Sequence, residues 1–231
     1  MRWPLLLVAC LLPLVSVAAP WQFDAPVAVT RHTGPKVFHH LESAGRRSIA
    51  VSGESVAIVW EDNRDGTPRI YLALKALGDA GFTERAAAIS GAGDAYEPAI
   101  AALPGDRFAV AWEEDEQIRV RLVTAQAVGP VLSLGKGAAQ ASLTALGNDV
   151  LLVGAVREKR FSRIRLHHLQ VGEELKLTET VACPVDAEPP QDEQLYPALA
   201  VTSRQLVVAW EDRRPGHTII MAARSPAESL C

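Results

Sequence analysis

Apolar residues in this chain come in short runs separated by turn residues. Residues 49–60 read IAVSGESVAIVW, 100–112 read IAALPGDRFAVAW and 199–210 read LAVTSRQLVVAW. Each is a short apolar strand, a turn of Gly, Ser, Pro or Arg, and a second apolar strand ending in tryptophan. Val56-Ala57-Ile58-Val59-Trp60 and Leu206-Val207-Val208-Ala209-Trp210 are apolar at every position, as a strand covered on both faces requires. Ile118-Arg119-Val120-Arg121-Leu122 alternates instead, which predicts one face toward solvent. β-Branched residues crowd these runs and Gly or Pro interrupts them repeatedly, so helices are disfavoured.

The pattern repeats along the chain. Glu61-Asp62, Glu113-Glu114 and Glu211-Asp212 follow the three tryptophans, and a third strand begins at Ile70-Tyr71, Ile118 and Ile219-Ile220. A degenerate copy runs through Leu143-Thr144-Ala145, Leu151-Leu152-Val153 and Ile164-Arg165-Leu166, with its tryptophan slot expected at Ala155. The markers at 60, 112, 155 and 210 stand 52, 43 and 55 residues apart. Several short strands per unit at that period predict an all-β fold: a β-propeller of about four blades, each of four antiparallel strands. Fourth strands are expected over Phe82–Ile89, Val128–Leu134 and Leu175–Val181. The last repeat has no such strand before Cys231, whereas Phe23–Val29 resembles Phe82–Ile89. An N-terminal strand completing the last blade would close the ring and remove its exposed edges. The competing expectation is a fragment of a larger propeller.

Composition narrows the function classes. The 231 residues are 48% hydrophobic and 22% charged, with a net charge of −4 and no basic block, so no nucleic-acid partner is expected. Met1-Arg2, the apolar run Leu5–Val17 and the small residues Ser16-Val17-Ala18 read as a signal peptide over 1–18. A single propeller domain over 19–231 follows, periplasmic or secreted, with no membrane span after cleavage. Leu7-Val8-Ala9-Cys10 is a minor lipoprotein alternative. In an oxidising compartment, Cys183 and Cys231 are expected to pair.

Two stretches carry a fuller motif: Trp60-Glu61-Asp62-Asn63-Arg64-Asp65-Gly66 and Trp210-Glu211-Asp212-Arg213-Arg214-Pro215-Gly216. This unit resembles the repeat of exported bacterial sialidase-like β-propeller proteins over roughly residues 45–225. The resemblance implies the fold first and sialidase-like glycoside hydrolysis second. No stretch matches the Ser-x-Asp-x-Gly-x-Thr-Trp box of true sialidases, and no arginine triad can be assigned. The leading expectation is therefore a non-catalytic module binding a protein or carbohydrate at a charged mouth. A divergent glycoside hydrolase is the alternative.

Repetition sorts the candidate residues. Trp60, Trp112, Trp210, Glu61, Asp62, Arg64, Glu211, Asp212 and Arg214 recur between units, which points to blade packing and to turns held by carboxylate bonds. Residues expected once, on the loops between blades, are the ligand-binding candidates: Arg46, Arg47, Tyr96, Glu97, Asp192, Glu193 and Tyr196. The two arginines can clamp a carboxylate bidentately or pair with the acidic turns. Tyr96 and Tyr196 stand before Pro98 and Pro197 at positions that read as matching. Glu97 with Asp94, or Glu193 with Asp192, supplies a possible hydrolase carboxylate pair. His39-His40, with His32, and His167-His168 contain potential metal donors, but adjacent strand residues point to opposite faces. No metal and no cofactor are expected.

Overall fold

The computed structural model describes residues 38–40, 46–214 and 217–227. Their strands form four antiparallel sheets in chain order, the blades of a β-propeller. Blade 1 holds β1 (His39–His40), β2 (Ile49–Ser52), β3 (Ser55–Asp62), β4 (Arg69–Ala76) and β5 (Thr83–Glu84). Blade 2 holds β6 (Ala95–Leu103), β7 (Arg107–Glu114), β8 (Gln117–Val123) and β9 (Leu132–Lys136). Blade 3 holds β10 (Ala138–Leu146), β11 (Asp149–Glu158), β12 (Phe161–Val171) and β13 (Leu177–Pro184). Blade 4 holds β14 (Gln194–Val201), β15 (Gln205–Asp212) and β16 (Ile219–Pro226). The signal segment, Cys10, the Phe23–Val29 strand, His32 and Cys231 lie outside the described residues. Among those described, no helix is long and apolar enough to cross a membrane.

The core lies between blades, which is why the middle strands are apolar throughout. Phe108, Val110 and Trp112 of β7 meet Ala57, Val59 and Ile70 of blade 1. On the opposite face of the same strand, Ala109 and Ala111 meet Val150 and Leu152 of β11. Leu151 and Val153 of β11 then meet Leu206, Val208 and Trp210 of β15. Trp112 and Trp210 thus face the preceding blade, whereas Trp60 packs against Tyr71 and Ala73 of its own blade. Each indole N–H donates to the acid two residues on: Trp60 to Asp62 at 3.3 Å, Trp112 to Glu114 at 2.8 Å and Trp210 to Asp212 at 3.1 Å.

Register corrects two sequence expectations. Ala111 pairs with Ala99, Val153 with Ser142 and Ala209 with Ala198, so the residue equivalent to Trp112 and Trp210 in blade 3 is Gly154, not Ala155. A Cβ on Gly154 would lie 2.5 Å from the Ile118 Cδ1, so an isoleucine from blade 2 occupies the space an indole fills elsewhere. Tyr96 pairs with Glu113 and Leu195 with Glu211, so Tyr96 matches Leu195 and not Tyr196.

The outer strands are also shorter or shifted. Blade 1 pairs only Thr83 and Glu84 in a ladder, and beyond it Arg85 and Ile89 bond singly to Leu72 and Ile70. In blade 2 the ladder begins at Leu132, after Gly129-Pro130 has interrupted pairing. In blade 3, Glu173–Leu175 form a 3₁₀ turn before the ladder. Finally, the arginines of β8 do not simply face solvent. Arg121 donates to the carbonyls of Ile89 at 2.7 Å and Gly129 at 2.8 Å, stitching blade 2 to the chain leaving blade 1.

Candidate functional site at the propeller axis

The Trp-Glu-Asp turns are built from the strand outward. Trp60 brings Asp62 to the end of β3, where it is fully buried. Its carboxylate accepts from the Arg64 backbone at 2.7 Å and from the Arg64 Nε at 2.8 Å. Arg64 also lies 4.0 Å over the Tyr71 ring and bonds Glu84. Blade 4 repeats this: Asp212 accepts from the Arg214 backbone at 3.0 Å and from Nε at 2.9 Å, and Arg214 also bonds Asp186. Burial acts to raise the Asp212 carboxyl, but Arg214 and Trp210 outweigh it and bring it down to about 2. Asp62 is lowered by the same balance. In blade 2 the carboxylate of Glu114 instead accepts from the backbone of Gly91 at 3.1 Å and Gly93 at 3.2 Å. The side chains of these turns are occupied in holding the turns together.

A second repeated feature lies on the innermost strands, next to the axis. In blades 2, 3 and 4 the inner strand loses register for two residues and then rejoins its neighbour at Ala99, Ser142 and Ala198. Two residues before each rejoining point, Glu97, Gln140 and Tyr196 take φ of 55°, 60° and 53°. Left-handed backbone at a non-glycine residue costs of order 1–3 kcal/mol and persists only where the surroundings impose it. In blade 1 the strand rejoins at Ser48, whose carbonyl accepts from Val59, and two residues earlier stands Arg46. One step of the fold therefore carries arginine, glutamate, glutamine and tyrosine in the four blades.

Hydrogen bonds link these four positions into a chain around the axis. The Arg46 guanidinium bonds Glu97 and reaches Glu113 at 2.9 Å. Glu113 accepts from the Gln140 backbone at 2.7 Å, and the Gln140 side chain accepts from the Tyr196 backbone at 2.7 Å. Burial pulls the Arg46 guanidinium below its ordinary range, against Glu113 and Tyr196, which raise it. Its side chain is only 6% exposed, whereas those of Glu97 and Glu113 are 40% and 25% exposed. Tyr196 is 45% exposed. A buried cation thus orients two accessible carboxylates beside an amide and an open aromatic ring. Glu113 also lines an adjoining acidic depression of about 400 Å³ with Asp94, Tyr96, Glu114, Asp115 and Glu116.

The remaining candidates stand elsewhere. The Tyr96 hydroxyl donates to Asp94 at 3.3 Å at the rim of that depression. Arg47 is exposed, and its carbonyl accepts from Ile100 at 2.9 Å, tying blade 1 to blade 2. Asp192 accepts from the Glu193 backbone at 2.7 Å. Burial acts to raise Glu193, but bonds from Ser162 and Arg157 outweigh it and hold it below its ordinary value. Those bonds, at 2.8 and 2.7 Å, fasten the long β11–β12 hairpin to the loop before blade 4. Gln140 and Glu113 complete the axial chain but were not singled out from sequence as binding candidates. The signal for Gln140 was its place two residues ahead of a small residue opening an inner apolar run. No cluster of three His, Cys, Asp or Glu residues suited to a metal occurs among the described residues.

No family model matches this chain, and no curated protein matches it. Solved structures do resemble it. A sialidase, NanB of Streptococcus pneumoniae, superposes with a TM-score of 0.50 at 11% identity, over 69% of this chain and 26% of the sialidase. An α-L-arabinanase of Penicillium chrysogenum gives 0.49 at 13% identity, over 79% of this chain and 57% of that one. A xylan β-1,4-xylosidase of Bacillus halodurans gives 0.45 at 14% identity, over 77% and 39%. The chain thus spans less than two thirds of the length of each. What the likeness to the sialidase shows is the fold, a β-propeller.

Proposed function

We propose that this chain is an exported propeller that binds a neutral or amino sugar at its axial mouth. One observation carries the reading: a backbone kink that repeats in blades 2, 3 and 4, and a matching position in blade 1, present four different polar side chains to one place. A saccharide needs planar, fixed hydrogen-bonding groups and an aromatic face, and Glu97, Glu113, Gln140 and Tyr196 supply that set. Arg46 is committed to two carboxylates, so the mouth is acidic and disfavours an acidic sugar. The signal-like residues 1–18 support export.

Glycoside hydrolysis at the same mouth is the second reading, favoured by the pair of accessible carboxylates and by the likeness of fold to a sialidase. It requires one carboxyl to hold a proton while the other stays ionised. Arg46 is ion-paired to both Glu97 and Glu113, so one cation commits both carboxylates, which favours binding. A glycan array and a panel of fluorogenic glycosides, both with purified protein, separate the readings. The expected result is binding of neutral or amino glycans without turnover, weakened about tenfold or more by Glu97→Gln. Turnover abolished by Glu97→Gln would establish hydrolysis instead. Neither binding nor turnover would defeat both.

A further inference from the structure

Two residues before each tryptophan position the middle strand carries Ile58, Val110, Leu152 and Val208, and opposite them stand Ala73, Arg121, His167 and Ala223. Blades 1 and 4 fill that step with alanine, so no polar group is needed there to build a blade. In blade 3 the buried His167 bonds Glu179 at 2.5 Å, so an acid accompanies the imidazole. Blade 2 places a permanent cation at the same step, and the charged group beside it is a second cation, Arg85 of blade 1.

Arg121 directs Nε and both Nη atoms at the carbonyls of Gly129 and Ile89. Arg85, just past β5, donates from Nη2 to the Thr124 carbonyl at 3.0 Å across the same junction, and its buried Nε has no hydrogen-bond partner. Burial, and then the charge of Arg85, pull the Arg121 guanidinium below its ordinary range, with no carboxylate acting the other way. Arg46, Arg64, Arg163 and Arg214 are likewise half-buried, yet each pairs with a carboxylate. Among the described residues, the side chains of Arg85 and Arg121 bond only carbonyls. Neighbouring half-buried cations without an anion are costly, and three carbonyls hold these two in place.

We propose that Arg85 and Arg121 hold a dianionic tetrahedral oxyanion, a phosphate or sulfate group, at the outer junction of blades 1 and 2. Two negative charges balance the two guanidiniums, and oxygens on several sides suit donors that arrive from two blades. The carbonyls leave N–H groups of both guanidiniums unspent for such an anion, the Arg85 Nε–H among them. The Thr124–Ala127 turn follows β8 at the end remote from the acidic depression that holds Glu113 and Glu116, so this site is separate from the axial mouth.

Inorganic phosphate is the probe, titrated into the protein at constant ionic strength and followed by phosphorus-31 NMR line broadening, with melting temperatures alongside. The wild type should broaden the line saturably and melt higher in phosphate than in chloride. Arg85→Gln should bind about tenfold more weakly or worse and lose the extra rise in melting temperature. Arg204→Gln, at an exposed arginine of blade 4, should behave as the wild type. General stabilisation by phosphate acts on all three proteins alike, so the difference between them reads the site. Arg85→Met, of similar length, repeats the test should Arg85→Gln fail to fold. Glucose 6-phosphate, with glucose as its control, separates the sources of the anion. Binding tighter than phosphate that Arg85→Gln abolishes assigns the group to a phosphorylated ligand, weaker binding assigns it to the free ion, and either upholds the site. No saturable binding of phosphate by the wild type, or equal binding by the wild type and Arg85→Gln, would overturn the proposal.

Discussion

Two features of this propeller repeat, and they repeat in opposite ways. At the strand-end turns of blades 1 and 4 the side chains recur with the backbone: tryptophan, aspartate and arginine make the same bonds in both. At the axial kink the backbone recurs but the side chains do not, and Arg46, Glu97, Gln140 and Tyr196 occupy one step of the fold. Chemistry that is copied serves what every blade needs, which is to end a strand and bury an indole. Chemistry that varies on a copied backbone serves something the molecule needs once. Inside the described strands the left-handed non-glycine residues are these three, and the other six stand in turns or in the 3₁₀ segment, which agrees with that division.

The comparison breaks first at the tryptophans. Trp112→Ala should cost about 3–5 kcal/mol in urea unfolding, because its ring is fully buried and its N–H satisfies Glu114. Sugar binding by the folded fraction should be unchanged. Blade 3 sharpens the point, since it reaches the same packing without an indole. Gly154→Ala should cost about 1–3 kcal/mol through collision with Ile118, and a simultaneous Ile118→Val should recover much of it. Equal costs with and without Ile118→Val would show that the glycine is not held by that contact.

The turn carboxylates come next. Asp212→Asn should cost about 1–3 kcal/mol by weakening the bonds to Arg214 and Trp210. Its folded carboxyl titrates at about 2 and the unfolded one near 4, so the unfolded chain takes up the proton first as acid is added. The stability it contributes is complete above about pH 4 and is lost as the pH falls toward about 2. Urea midpoints followed through that window should fall more steeply for the wild type than for Asp212→Asn, and parallel curves would count against the assignment. His167 acts in the same direction at higher pH. Burial lowers its imidazole against Glu179, so its contribution is present above about pH 6.5 and declines as the pH falls through its lowered value. His167→Gln should flatten that part of the profile.

Most of the architecture was legible because propeller blades advertise themselves: a middle strand covered on both faces must be apolar at every position, and three of four copies end in tryptophan. Blade 3 misled by one residue because the run Leu151–Val153 continues into Gly154-Ala155, and a glycine in an indole's place leaves no side chain to mark it. The axial site was only half legible. Arg46, Glu97 and Tyr196 were picked out by lying on inter-blade loops, but their equivalence was hidden, since nothing in residue type connects arginine, glutamate, glutamine and tyrosine. Tyr96 drew attention by resembling Tyr196, and a two-residue loss of register that sequence cannot display separates them. Glu113 read as a turn acid, yet it lies on the face of β7 opposite Trp112, where it accepts from the Gln140 backbone of blade 3 and from Arg46.

The central claim is that the kink is for ligand and the turn is for stability. The most direct measurement is titration calorimetry of an array-identified glycan against Tyr196→Ala and Asp62→Asn, with the melting temperature of each. The account predicts that Tyr196→Ala weakens binding about tenfold or more at a melting temperature close to wild type, and that Asp62→Asn binds normally but melts lower. The reverse pattern, with normal binding by Tyr196→Ala and lost binding by a fully stable Asp62→Asn, would contradict it.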